Sequence, residues 1–321
     1  MKLSVALCTY NGEKFLREQL DSILNQTLKI DEIVICDDKS TDTTIEIINE
    51  YVEKFSSIFQ IYINEITLKS VKNFEKALNL CTGEIVFLSD QDDVWKTNKV
   101  EEYVAYFNRN KTIKAIASNG YCIDENSKVI EKYSLWDIPF FLKEHNTNID
   151  YFKTITYFSN IATGASMAVK KELLSEIIPF PILKNLHHDE WIASIASATN
   201  AFVLLNEKYF YYRIHNNQQV GGVFFDKTEE EKRNITNVFN LNNDNITFHN
   251  FKIKIKKIVD SYKKNKALSM LNEKHSKLFQ ENSTKIELYY LSTLKSMQKQ
   301  YPVKSFFIQV SDKLTHKRQL K

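Results

Sequence analysis

The first ninety residues alternate between two hydrophobic periods. Leu3 to Leu7 is a short apolar run bounded by polar turn residues, and Phe15, Leu16, Leu20, Ile23, Leu24 and Leu28 follow at helical spacing. Ile33 to Cys36 repeats the strand pattern, and Ile45, Ile48, Val52 and Phe55 repeat the helix. A third pair is Ile58 to Ile63 with Val71 to Leu80, and a fourth strand is Ile85 to Leu88. Units of this kind predict an α/β fold, a mostly parallel central sheet flanked by helices. Ligands of such sheets bind beyond the carboxyl ends of the strands. Three polar clusters stand there: Thr9-Tyr10-Asn11-Gly12-Glu13, Asp37-Asp38-Lys39-Ser40 and Ser89-Asp90-Gln91-Asp92-Asp93.

From Ile113 to about Arg213 the pattern loosens, with a strand expected over Ala162 to Val169 and a helix over Glu190 to Ala198. Beyond Gly222, Phe251, Ile255, Ile258, Val259 and Tyr262 fit a helix, as do Ile286, Tyr289, Tyr290, Leu294 and Met297, with Lys on the other faces. The chain therefore divides into residues 1–222 and a helical C-terminal region, 223–321, with the Asn- and Lys-rich stretch Asn234 to Asn250 as the expected linker.

Composition narrows the function classes. The 321 residues are 43% hydrophobic with a net charge of +3, an ordinary globular balance. That charge is unevenly placed: residues 1–240 carry 26 Lys and Arg against 34 Asp and Glu, and residues 241–321 carry 17 against 6. An acidic body argues against nucleic acid as partner. The basic tail suits an anionic membrane face or a solvated helical surface. Cys8, Cys36, Cys81 and Cys122 lack metal or redox spacing and sit beside apolar runs, which fits a reducing compartment. No apolar stretch approaches the roughly 18 residues of a membrane span, and the chain starts on a strand-like run. A cytoplasmic location is expected, or the inner face of the cell membrane as a peripheral protein.

Several carboxylates after a buried strand repel one another unless water or a cation lies between them. Hard divalent ions take oxygen ligands, and Mg²⁺ uses one or two carboxylates plus substrate phosphates. The acidic loop therefore reads as a metal and diphosphate site, against the alternative of a solvated turn capping the next helix. Asp37 and Asp38 precede Ser40 and Thr41, candidate helix caps; the two acids either serve that helix start or, facing a ligand, accept hydrogen bonds from a nucleobase or ribose hydroxyl. In His187-His188-Asp189-Glu190-Trp191, Asp189 is a helix cap or a general base. In the polar loop from Tyr212 to Gly222, Arg213 suits a bidentate phosphate clamp and His215 a metal or phosphate ligand. The chain has no G-x-G-x-x-G, P-loop or G-x-S-x-G motif, which removes the main support for dinucleotide oxidoreductases, P-loop NTPases and α/β-hydrolases.

Six segments together resemble family 2 inverting glycosyltransferases with the GT-A fold, in the bacterial, rhamnosyltransferase-like branch that builds surface polysaccharides. They are Ser4 to Asn11, Ile33 to Thr44, Gly83 to Trp95, Thr163 to Val169, His188 to Trp191 and Tyr212 to Gly221. They span about the first 222 residues, and L-S-D-Q-D-D-V-W is the most specific. The resemblance implies a GT-A nucleotide-sugar-binding fold in which Thr9, Tyr10, Glu13 and Asp38, with Asp37 beside them, hold base and ribose. Asp90 and Asp92 match the D-x-D motif, with Asp92 as direct ligand of Mn²⁺ or Mg²⁺. Asp189 falls at the catalytic base, and the loop from Arg213 to Gly221 falls where a basic segment closes over the diphosphate. Cys8 and Lys39 stand where the family often carries Pro and Gly, and Asn216 where it carries Gly.

The implied reaction moves a sugar from a nucleoside diphosphate sugar, UDP- or dTDP-linked, to a hydroxyl of a glycan or lipid-linked glycan acceptor. The setting would be capsule, O-antigen or lipooligosaccharide synthesis. Two other readings compete. Asp90-Gln91-Asp92-Asp93-Val94 also matches the D-x-D-x-[TV] pattern of haloacid-dehalogenase phosphatases, although three strand and helix units precede it. A non-catalytic sugar-nucleotide-binding module would keep the nucleotide cluster and lose the base.

Overall fold

The computed structural model describes residues 1–145, 147–216, 224–315 and 317–320. Strands β1 (Leu3–Thr9), β2 (Glu32–Asp37), β3 (Phe59–Ile63) and β4 (Ile85–Ser89) run parallel in the order β3-β2-β1-β4. Every residue of β1, β2 and β4 is buried, as continuous apolar strands covered on both faces must be, whereas β3 at the edge exposes Gln60 and Ile63. The intervening helices are α1 (Leu16–Leu24), α2 (Thr44–Lys54) and α3 (Lys69–Leu80), and α1 buries Leu16, Leu20 and Ile23 along one stripe.

The sheet then turns mixed. After β5 (Val94–Trp95) and α4 (Lys99–Arg109) come β6 (Ala115–Ile123) and the short strands β7 (Val129–Ile130) and β8 (Lys132–Ser134). Helices α5 (Ile138–Glu144) and α6 (Tyr151–Tyr157) precede β9 (Ala168–Lys170), α7 (Leu174–Ile177), α8 (His188–Ala198) and β10 (Phe202–Arg213). The full order is β3-β2-β1-β4-β9-β6-β10-β5, with β9 antiparallel to both β4 and β6 and β5 antiparallel to β10. Thr9, Asp37, Ser89 and Arg213 end parallel strands, so the polar clusters after β1, β2 and β4 share one edge with the loop after β10.

At the opposite, amino end of the strands Glu32 is buried and accepts hydrogen bonds from Ser4 Oγ, Thr82 N (2.8 Å), Thr82 Oγ1 (2.7 Å) and Lys2 Nζ (3.2 Å). Burial opposes its charge, but these bonds outweigh it and hold the carboxyl down at about 2. It ties strand starts together far along the strands from the polar edge.

Three local expectations are corrected. Ala162 to Val169 is not one strand: Gly164–Ser166 forms a 3₁₀ turn and only Ala168–Lys170 pairs. Ser40 and Thr41 do not cap α2. Ser40 bonds Asp37 and Thr41 bonds Asn11, while Asp42 Oδ1 accepts from Thr44 N (3.0 Å) and Glu13 Oε2 from Thr43 N (3.0 Å) at the helix start. The expected linker from Asn234 to Asn250 is largely ordered structure: it contains the end of α9 (Glu229–Phe239) and the start of α10 (Phe248–Leu271), with Phe239 and Ile246 buried.

The chain forms two compact units. One comprises Met1–Asp137, Ala162–Phe180 and His187–Phe225, and the other Ile138–Ile161, Pro181–Leu186 and Asp226–Lys321. The second unit is helical, adding α11 (Ser276–Gln300) and α12 (Pro302–Thr315) to α5, α6, α9 and α10. Its core joins Ile246, Phe251, Ile255, Val259 and Met297. Lys254, fully buried there, donates to the carbonyls of Asn240 (2.9 Å) and Asn243 (3.1 Å), and burial pushes its amine down to about 8. No described helix is long and apolar enough to cross a membrane.

Candidate active site

The loops after β1 and β2 are laced to each other. Thr9 Oγ1 donates to Asp37 Oδ2 (2.7 Å), and Asp37, fully buried, also accepts from Ser40 N (2.7 Å) and Ser40 Oγ (2.6 Å). Asp38 accepts from Asn64 Nδ2 (2.8 Å), Leu68 N (2.6 Å) and Lys69 N (2.8 Å), a carboxylate set against the start of α3. Glu13 holds Thr43 through its Oγ1 (2.6 Å) as well as its N–H. The side chains of Thr9, Glu13, Asp37 and Asp38 thus shape the loops, while the Tyr10 side chain stands exposed. Lys39 has φ 70°, the left-handed conformation a glycine adopts freely, so this chain keeps the turn at a cost of about 1 kcal/mol.

A side-chain amide joins the β1 loop to the acidic loop. Gln91 Oε1 accepts from Tyr10 N (2.7 Å) and Gln91 Nε2 donates to Tyr10 O (2.9 Å). Beyond it, Asp92 Oδ2 lies 2.8 Å from His215 Nε2, which brings together two of the predicted metal ligands. Asp90 is the third. Burial first, then the charges of Asp92 and Asp189, push its carboxyl up to about 8, with Lys99 opposing. Asp93 is buried, its Oδ1 accepting from Arg213 N (3.0 Å) and its Oδ2 without a hydrogen-bond partner among the described residues. Burial, then Asp92 and Asp90, raise its carboxyl strongly.

Lys99, at the start of α4, is the residue that sequence reasoning missed. It is fully buried, donates to Ala165 O (2.9 Å) and lies 3.8 Å from the Trp95 ring centroid. Desolvation pushes its amine far down, while Asp93 and Asp90 pull it back up. In the sequence it is one Lys among many; only its place one turn after Trp95 marks it.

No group of three or more His, Cys, Asp or Glu that could hold a metal ion occurs among the described residues. Asp90, Asp92 and His215 nonetheless fit a divalent cation chemically. Mg²⁺ and Mn²⁺ typically take one or two carboxylates from the protein and further oxygens from substrate phosphates, and Asp92 with His215 2.8 Å away, next to Asp90, supplies donors of that kind.

Asp189, whose charge reaches Asp90, is the second residue of α8. Its Oδ1 accepts from Glu190 N (2.6 Å) and its Oδ2 from Gly164 N (3.2 Å), so one oxygen serves the helix start and the other reaches the 3₁₀ turn. Gly164 is needed at that turn because a Cβ there would lie 2.3 Å from His188 Nε2. His188 stacks on Phe74 (centroids 4.0 Å apart), and burial pushes it down to about 4, so it is neutral at neutral pH.

Arg213 is placed otherwise than expected. Its guanidinium is fully buried, 4.6 Å from the Phe15 ring centroid, and donates to Asp92 O (2.8 Å), Asp124 O (3.1 Å), Ser127 Oγ (2.9 Å) and Glu18 Oε2 (2.6 Å). It grips the acidic loop from behind and is directed at protein groups, not toward an open phosphate subsite. Asn217 to Gly221, the rest of the expected closing loop, lie outside the described residues. Arg213→Met strands buried carbonyls and should lower unfolding free energy by roughly 2–4 kcal/mol. Glu18→Gln, at the exposed end, should cost under about 1 kcal/mol. Urea denaturation of both variants checks this, and equal stabilities would refute the bracing role.

Comparison with known proteins places this arrangement. Residues 4–177 match the family described as Glycosyl transferase family 2. A glycosyltransferase of Methanocaldococcus jannaschii is 31% identical over 223 residues, 67% of this chain and 71% of that protein. The dTDP-rhamnosyl transferase RfbG of Shigella flexneri is 31% identical over 229 residues, 67% of this chain and 73% of RfbG. The mannosyltransferase PcManGT of Pyrobaculum calidifontis, solved in complex with GDP-Man and Mn²⁺, superposes with a TM-score of 0.53 at 14% identity, covering 98% of this chain and 80% of that one. The chain belongs to glycosyl transferase family 2 and has the GT-A fold. Membership leaves no place for the phosphatase reading of Asp90.

Proposed function

We propose that the protein transfers a sugar, with inversion, from a UDP- or dTDP-linked donor to an acceptor hydroxyl during assembly of a cell-surface polysaccharide. The observation that carries this reading is that Asp92, two residues after Asp90 at the carboxyl edge of the parallel strands, meets His215 at 2.8 Å, with Asp189 near enough to add, after burial and Asp92, to the raising of the Asp90 carboxyl. One acid pair serves the leaving diphosphate and a separate acid serves the attacking hydroxyl.

Asp92, with Asp90 and His215, would hold Mn²⁺ or Mg²⁺, and the ion when bound would neutralise charge on the departing diphosphate. Asp189 takes the proton of the acceptor hydroxyl as the new bond forms. Tyr10 faces the base, and Thr9, Glu13, Asp37 and Asp38 form the walls of the nucleoside subsite. Arg213 keeps the acidic loop in place. The dTDP-rhamnosyl transferase named above favours a dTDP sugar, and the Mn²⁺ complex of the mannosyltransferase favours a metal-assisted site.

A calorimetric screen of UDP, dTDP and GDP sugars, each with and without Mn²⁺, tests the reading. Binding of a UDP or dTDP sugar that strengthens at least tenfold with Mn²⁺ is the expected result, about 1.4 kcal/mol. Binding of none of the donors would overturn it.

A further inference from the structure

Helix α12 leaves most of its large apolar side chains in solvent. Positions 303, 306, 307, 310 and 314 fall within an arc of about 100° on a helix of 3.6 residues per turn. Their side chains, Val303, Phe306, Phe307, Val310 and Leu314, are 44–78% exposed. The opposite side carries Ser305 and Asp312, which are buried, Asp312 in an ion pair with Arg318. An amphipathic helix on a globular protein buries its apolar stripe. This one seats the side that holds Ser305, Asp312 and Ile308, the last packed on the apolar core of the helical unit, and leaves the larger stripe outward, an apolar surface of the kind that marks an interaction site.

The flanks identify the occupant. Exposed Lys304 and Lys313 border the stripe on its two sides, and residues 295–321 hold seven Lys and Arg against one Asp. A second copy laid on this face would bring cationic flanks together, whereas an anionic bilayer accepts both the apolar stripe and the charge. At 14 residues α12 is too short to span a bilayer. We propose that α12 lies in the plane of an anionic lipid surface, with Phe306 and Phe307 inserted below the headgroups and Lys304 and Lys313 at their level.

Flotation of the full chain tests this, using phosphatidylcholine vesicles with and without phosphatidylglycerol, at low and high salt. The wild type should float with the anionic vesicles at low salt and lose most of that binding at high salt. Phe306→Ser with Phe307→Ser should weaken binding at least about tenfold with an unchanged thermal transition, since both rings are exposed. Lys304→Glu with Lys313→Glu should remove the salt-sensitive part. No flotation of the wild type at low salt, or flotation unchanged by the Phe pair, overturns the proposal. So does a concentration-dependent dimer in sedimentation velocity that the Phe substitutions abolish.

Discussion

Asp92→Asn should reduce sugar transfer by about 10²–10³ or more, the range for losing an electrostatic stabiliser of a developing anion. The substitution keeps shape: the Asp92 carbonyl still receives Arg213 Nε, and an amide oxygen can still face His215 Nε2. Folding should therefore survive, while Mn²⁺-dependent tightening of nucleotide binding disappears in calorimetry. Asp93→Asn is the control. Burial already holds the Asp93 carboxyl far up, toward its neutral form, and the Arg213 N–H it accepts can be met by an amide oxygen. Its effect should stay within about tenfold. Activity of the wild type that survives EDTA, with nucleotide affinity indifferent to Mn²⁺, would remove Asp92 from metal binding.

Asp189→Asn should leave donor affinity near wild type while turnover falls by ~10² to 10⁴, the usual loss when a general base is removed. Asn can accept from Glu190 N as Asp189 Oδ1 does, but its NH₂ group would then face Gly164 N–H, two donors in opposition. A stability loss of about 1 kcal/mol is therefore expected, measurable in the thermal transition and separable from the rate. If Asp189 served only the helix start, that small loss would be the whole effect. Near-normal turnover would move the base to Glu190 or His188. His188 is the weaker candidate: its ring is clamped against Phe74 and buried, with its Nε2 shielded from solvent.

Much of this was readable along the chain because its physical cause is local. A strand buried on both faces needs a continuous apolar run, so β1, β2 and β4 announce themselves, and the polar residues that follow must lie at their carboxyl ends. Asp90 and Asp92 follow such a strand beside two other polar clusters, and it is that shared edge which makes a diphosphate site the sequence's reading of them. The 162–169 segment misled for an equally local reason: its small apolar residues fit a strand, but packing against His188 and Asp189 bends it into a turn at Gly164.

What an individual side chain faces is decided by residues far away in sequence. Arg213 looks like a phosphate clamp until Glu18, 195 positions earlier, and the carbonyls of Asp92 and Asp124 surround it. Lys99 looks like surface until α4 sets it beneath the acidic loop, where burial and the carboxylates above it fix its character. The stripe on α12 faces outward because the helix seats Ser305, Ile308 and Asp312 instead, which only the tertiary structure decides. Hydrophobic periodicity determines which elements form and which loops share an edge, since burial acts on the pattern as a whole. Charge placement, hydrogen-bond partners and the direction of each face depend on which elements meet, and the tertiary structure alone decides that.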